Sequence, residues 1–274
     1  MLFVALVVFA LFGGLLTRYS YTDTDFLAIG FPPGRGHWFG TNDAGNDLYA
    51  QVVHGLQRSL VIALAVAIGT TMIAAVAGSF AAFFGGWVEK ATLGVIYLLL
   101  VVPSFLILAL TANATGGDWR WIIVALIVFG WMMLARVVHS MAVSLREREF
   151  VLAARYMGER PVTIIARHII PNLSSLLVIN FALGVVGTVL TETGLSFLGL
   201  GVKIPDVSLG SLLQAGVGTI VASPWLFYFP AGALTLLTVS MTLMADGLRD
   251  ALDPNAANPT VAEPALTVES GGTQ

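Results

Sequence analysis

The sequence contains no cysteine and only two lysines, and charged residues make up just 11% of its 274 positions. Each shortage excludes something. Without cysteine there are no disulfide staples, no thiolate metal sites and no thiol catalysis. A P-loop needs a Gly-Lys-Ser/Thr end to hold phosphates, but Lys90 follows Glu89 and Lys203 follows Val202, so this chain cannot bind ATP by that route. The four histidines, His37, His54, His139 and His168, lack metal-ligand spacing, and neither an HExxH pair nor a GxSxG nucleophile elbow occurs. An intramembrane enzyme is therefore not expected.

What the chain has in excess is apolar surface. With 57% hydrophobic residues it cannot hide that much in one water-soluble core, so it reads as an all-α integral membrane protein. Where the charges sit then matters more than their formal sum of -3. Residues 2–16 are apolar and end at Arg18, which is short for a span of about 20 residues. With no basic residues ahead of them and no small-residue cleavage site behind, they read as a first transmembrane helix missing its basic cytoplasmic start, not as a signal peptide.

From residue 19 to about 57 the chain turns polar, and Pro32-Pro33-Gly34 marks loops in place of a span. A second span is expected over 59–84, with Gly69, Ala74, Ala77, Gly78, Ala81 and Ala82 supplying small faces for close helix approach. After a brief loop at 85–90, a third span is expected over 93–112, kinked at Pro103 by the missing N–H and the ring clash. A fourth is expected over 121–135, with Arg136 and His139 at its cytoplasmic exit. A fifth is expected over 172–200, with Gly184 and Gly187 as packing points. Its one ionisable residue, Glu192, lies about 30 Å along the helix from Asn172 and so near the outer surface. Residues 202–227 read as an outside loop with some helix, 229–244 as the sixth span, and 255–274 as a disordered tail.

The longest polar interruption in the second half is REREFVLAARYMGERPVTIIARHIIP, residues 146–171, which holds Arg146, Arg148, Arg155, Arg160 and Arg167. So basic a segment belongs on the cytoplasmic side. Phe150, Val151, Ala154 and Met157 recur at helical spacing, Gly158 stops the helix and Pro161 opens another, giving a short helix-turn-helix suited to a partner's groove. In this topology Lys90, Arg136, Arg146, Arg148, Arg155, Arg160, Arg167 and Arg249 lie inside. Arg18, Arg35, Arg58, Arg120 and Lys203 lie outside, a modest bias in the expected direction.

Ala153-Ala154, then Gly158, then Ile169-Ile170-Pro171 resembles the EAA loop of binding-protein-dependent ABC importer permeases, although Leu152 stands where that family usually has Glu. The stretch GTNDAGND (residues 40–47), the string LSFLGLG (195–201), Ser223-Pro224-Trp225 and DGLRDALDP (246–254) are similar to the dipeptide, oligopeptide and nickel branch of that family. Here Asn42 and Asn46 replace an acid and an Arg, and Tyr97 stands where an acid often precedes the proline of the third span. The resemblance implies a six-helix type I permease fold with a cytoplasmic coupling helix, a multi-pass protein of the bacterial inner membrane with both termini cytoplasmic. It implies three segments: 1–57, a permease domain at 58–253, and the tail at 254–274. It makes Glu147, Glu149, Ala153, Ala154, Gly158, Arg160 and Pro171 the ATPase-coupling residues, with Glu147 or Glu149 in place of the missing Glu. Pro103, Glu192, Asp246 and Arg249 are gating or structural candidates. The implied partners are a second homologous permease subunit, two ABC ATPases that hold ATP and magnesium, an extracytoplasmic binding protein and membrane lipid, with no nucleic acid and no cofactor on this chain. The rival classes are an ion-gradient-driven secondary transporter and a membrane assembly factor; the span interiors offer almost none of the ionisable groups the first would use.

Overall fold

A computed structural model describes residues 1–252, and within them regular structure is helical apart from two isolated β-bridges. In chain order the helices are α1 (Leu2–Phe12, continued by a 3-10 turn Gly13–Leu16), α2 (Leu48–Phe84), α3 (Gly86–Val101), α4 (Ser104–Ala114), α5 (Trp119–Gly130) and α6 (Met132–Arg146). Then come α7 (Glu149–Tyr156), α8 (Pro161–Ile164), a π turn (Ile165–Ile169), α9 (Ile170–Asn172), α10 (Ser174–Phe197), α11 (Leu209–Val217) and α12 (Trp225–Leu252). The tail expected at 254–274 lies outside the described residues.

Among the described residues, four helical stretches are long and apolar enough to cross a membrane: Leu48–Phe84, Trp119–Arg146, Ser174–Phe197 and Trp225–Leu252. The pair α3 and α4 adds a fifth if counted as one span, but it is bent by 73°. That bend corrects the expected kink. Pro103 does not flex a continuous helix; it ends α3 at Val101 and sits as the N-cap of α4, since it can neither donate to the preceding turn nor let the residue before it stay helical. Residues 2–16 form a shorter apolar helix, below the length of a full span.

The largest departure from the sequence reading is at α2, which begins at Leu48, inside the stretch expected to be loop. Asp47 caps it, accepting the backbone N–H of Ala50 at 2.8 Å. Gln51, His54, Gln57 and Arg58 look like loop residues in sequence, yet all four are turned inward and bonded to other parts of the chain. Residue 57, the expected domain boundary, thus falls within a continuous helix of 37 residues. The loop expected at 85–90 shrinks to Gly85, with Trp87, Glu89 and Lys90 already on α3. The fourth span starts at Trp119 and runs on to Arg146, broken only at Trp131, so Arg136 lies within α6 and not at its exit. The loop expected to end at 227 gives way to α12 at Trp225.

In the bundle, α2 is central: it packs most extensively against α6, and also on α10, α5, α3 and α11. Small residues make this possible. A Cβ at Gly78 would sit 2.6 Å from the Ala135 carbonyl oxygen, so any side chain there would force the helices apart, while a Cβ at Gly69 would sit 2.6 Å from Ile127 Cδ1 and displace that side chain. Ala74, Ala81 and Ala82 are fully buried on the same helix. Gly184 lies in ordinary contact with Ala67, but Gly187 faces open space and is not the packing point the sequence suggested.

Candidate functional site

Two polar regions sit at opposite ends of α2. At the Phe84 end lies the 146–171 element. Glu149 in the first turn of α7 and Arg155 in its last both complement the helix dipole. Gly158 then takes φ = +80°, and the N–H groups of Gly158 and Glu159 donate to the carbonyls of Arg155 and Ala154, each at 3.1 Å. A Cβ at 158 would meet nothing within 4 Å, so backbone conformation alone demands glycine here. Arg160 is the N-cap of α8 and Pro161 fills its first turn, where a missing N–H costs nothing. Pro171, which has no N–H to give, follows the π turn that interrupts this second helical run.

Beneath the surface, Val151, Ala154, Ile164, Ile165 and Ile169 join Ala82 and Phe83 of α2, Val138 and Ala142 of α6, and Leu173 in one buried cluster. The Nη1 of Arg146 donates to the Ala82 carbonyl at 2.9 Å, and His168 Nε2 lies 2.9 Å from Glu159 Oε2. The element is therefore clamped to the ends of three long helices. Of the apolar stripe on α7, Val151 and Ala154 are buried, while Phe150 is 41% exposed and Met157 80%, beside Tyr156 at 87%. Glu147, Glu149, Ala153, Gly158, Arg160 and Pro171 are exposed with them, and Leu152 is half-buried. Periodicity could not separate a face covered by this chain from an apolar face left open.

At the Leu48 end, residues 19–47 fold over the start of α2. Asp47 Oδ2 lies 2.8 Å from His37 Nδ1 while its other oxygen caps the helix. Asn42 accepts from the N–H of Ala44 and Asn46, at 3.0 and 2.8 Å, and the Asn46 amide donates to the Asp23 carbonyl at 3.0 Å. Thus GTNDAGND forms a turn locked by its own side chains. Across from it, Asp206 lies 2.7 Å from both His54 Nε2 and Arg58 Nη2, tying the 202–208 segment to α2. A cavity of about 730 Å³ opens between these segments, with Asn42, Gln51, Lys203, Asp206 and Gln214 among its walls.

Glu192 lies toward the Phe197 end of α10, and it is buried there within the protein, at 1% exposure. Its Oε1 accepts from the hydroxyls of Ser196 at 2.7 Å and Ser208 at 2.6 Å. Ser208 heads α11 in a reciprocal capping box with Ser211, so the carboxylate joins α10 to α11. The remaining candidates stand apart: Pro103 is exposed at the α3–α4 break, and Asp246 and Arg249 are exposed near the end of α12. The structure brings together the residues of 147–171 and leaves these four elsewhere.

Residues 74–258 match the family described as binding-protein-dependent transport system inner membrane component. Among curated relatives, the oligopeptide transport system permease protein OppC of Mycobacterium tuberculosis (strain ATCC 25618 / H37Rv) is 48% identical over 241 residues, 87% of this chain and 83% of that protein. The protein of the same name from Mycobacterium bovis (strain ATCC BAA-935 / AF2122/97) gives the same values, 48% over 241 residues, covering 87% and 83%. The one from Bacillus subtilis (strain 168) is 33% identical over 251 residues, 92% of this chain and 82% of its own. The matched region takes in the clamped 146–171 element and every helix from the last third of α2 onward, and the chain belongs to the binding-protein-dependent transport system inner membrane components, the non-catalytic permease subunits of ATP-driven importers.

Proposed function

We propose that this permease subunit forms half of a pathway for di- or oligopeptides, or a related cargo such as nickel, and that the 146–171 element couples it to two separate ATPase subunits. The observation that carries the reading is the two-sided build of that element. Its inner side shares one buried cluster with α2, α6 and Leu173 at the head of α10, while its outer side exposes Phe150, Tyr156 and Met157. A handle that is stiffly attached and apolar on its free face suits a partner's groove. Glu147, Glu149, Ala153, Gly158, Arg160 and Pro171 are exposed on the same element, and Leu152, in place of the family's Glu, leaves the acidic contact to Glu147 or Glu149. The relatives named for oligopeptide transport support the cargo class.

Five arginines at the Phe84 end make it the cytoplasmic side. Counting residues 2–16 and the broken α3–α4 pair as one crossing each gives six spans and puts both termini in the cytoplasm of a bacterial inner-membrane protein. The Leu48 end then faces outward, where residues 42–49 and 202–225 receive the loaded binding protein. A second homologous permease completes the pathway, and Pro103 at the exposed break is the gating candidate facing it. The functional division is 58–253 as permease domain, with 1–57 as an outer and first-span extension and 254–274 as a tail. ATP and magnesium stay on the ATPases. Their closure pulls α7, and the bundle shifts only because the two states make different contacts with those partners.

The test is reconstitution with the ATPases, the partner permease and the binding protein. ATP hydrolysis should rise with loaded binding protein and lose that response in Tyr156→Asp/Met157→Asp. Solute uptake by the lone chain on a proton or sodium gradient, with no ATPase present, would overturn the reading.

A further inference from the structure

A second, smaller pocket of about 250 Å³ lies where the end of α1 meets the 19–47 segment, with Arg18, Tyr19, Arg35 and Trp38 in its walls beside Asp47 and Tyr49. Among the described residues, the ion pairs involve other cations, and neither Arg18 nor Arg35 has a carboxylate partner. The acid in the pocket is already committed: Asp47, 2% exposed, sits against His37 Nδ1 and accepts the Ala50 N–H, both at 2.8 Å. The Tyr49 hydroxyl is committed too, donating to the Gly13 carbonyl at 3.0 Å. What the pocket has left to offer is two guanidinium groups. Guanidinium forks match the paired oxygens of an anion such as a phosphate.

The setting narrows the source of that phosphate. Immediately before Arg18, the end of α1 exposes Leu11, Phe12, Leu15 and Leu16, with Leu15 81% exposed, and Trp38 of the pocket wall is 50% exposed. Since α1 packs on α12 and α2 and this chain leaves that apolar side uncovered, a membrane would bring lipid against it. A Trp beside paired cations at the end of a lipid-facing helix is the composition of a headgroup-level site. The charge pattern adds to this. Arg18 and Arg35 lie at the end of the molecule opposite the arginine-rich element, where basic residues are otherwise disfavoured.

We propose that this pocket holds the phosphate of an anionic phospholipid, with the acyl chains lying along the exposed end of α1. In the orientation given above the lipid belongs to the outer leaflet, although binding itself does not depend on the transport reading.

The full-length chain is reconstituted into nanodiscs containing equal phosphatidylglycerol and phosphatidylcholine, and the lipid retained through delipidation is identified by native mass spectrometry. The wild type should keep phosphatidylglycerol in preference to phosphatidylcholine. Arg18→Gln/Arg35→Gln should lose that preference about tenfold, and Arg18→Lys/Arg35→Lys should fall between. Arg120→Gln, another exposed cation assigned to the same side, should behave as wild type. Equal melting temperatures in pure phosphatidylcholine discs establish that the Gln variant is folded; should it not fold, each single Gln variant is expected to lose about threefold. Equal retention by wild type and the Gln variants overturns the proposal. So does stabilisation of the wild type, and not the Gln variant, by millimolar inorganic phosphate without any lipid preference, which would assign the site to a soluble anion.

Discussion

The two ends of α2 are covered by segments that differ in how far they rely on side-chain hydrogen bonds. At the Phe84 end, the 146–171 element is held by Ile, Val, Ala and Phe side chains in one buried cluster, with few polar contacts. At the Leu48 end, residues 19–47 add to their aromatic contacts, such as Phe39 on Phe229, a network of Asp, Asn and His side chains bonding to nearby backbone and to each other, while Phe26 and Leu27 stay 79% and 89% exposed. Close-packed apolar contacts transmit displacement because they cannot be compressed. A side-chain hydrogen-bond network holds a shape but exchanges readily with water and partners. The difference matches the work proposed for each: one end passes on movement, the other presents a defined surface.

That contrast can be broken by substitution, and the effects on stability should fall in order. Ile165→Ala, at 1% exposure in the apolar cluster, should cost about 2–5 kcal/mol in thermal or denaturant unfolding and uncouple ATP hydrolysis from the binding protein. Asp206→Ala removes the partner of both His54 and Arg58, and should cost about 1.5–3 kcal/mol while weakening binding-protein docking more than ATPase association, read by pull-down of each. Gly158→Ala adds no clash, so its cost is the left-handed backbone alone, about 1–2 kcal/mol, with a partial fall in transport rate. Smallest in stability is Tyr156→Asp/Met157→Asp, within about 0.5 kcal/mol of wild type, yet it should abolish co-purification with the ATPases. If this last pair melts the protein, or leaves the ATPase bound, the division of labour between the two faces of α7 is wrong.

Much of this was legible in the sequence. Gly158 and Pro161 mark the turn in the 146–171 element because left-handed φ and a missing N–H are local demands that one residue answers. Pro103 was visible for the same reason, though not the sharpness of the break, which depends on what α4 packs against. The start of α2 was hidden because Gln51, His54, Gln57 and Arg58 are polar, and their burial is settled only by partners as distant as Asp206. Helix rise gave the position of Glu192 along α10 but not its burial, which depends on Ser208 at the head of another helix. The spacing of Phe150, Val151, Ala154 and Met157 marked an apolar stripe on α7, but not which of its residues this chain covers and which stay open.

Unbroken over 37 residues, α2 is a rod about 55 Å long, well beyond the roughly 30 Å of a hydrocarbon core. A rod tilting about its midpoint swings its two tips in opposite directions: ten degrees, for scale, would carry each tip about 5 Å, given the rise per residue. Because Phe83 anchors the arginine-rich handle and Asp47 anchors the opposite crown, a push at one pole would reappear, reversed, at the other with no intermediate loop to absorb it.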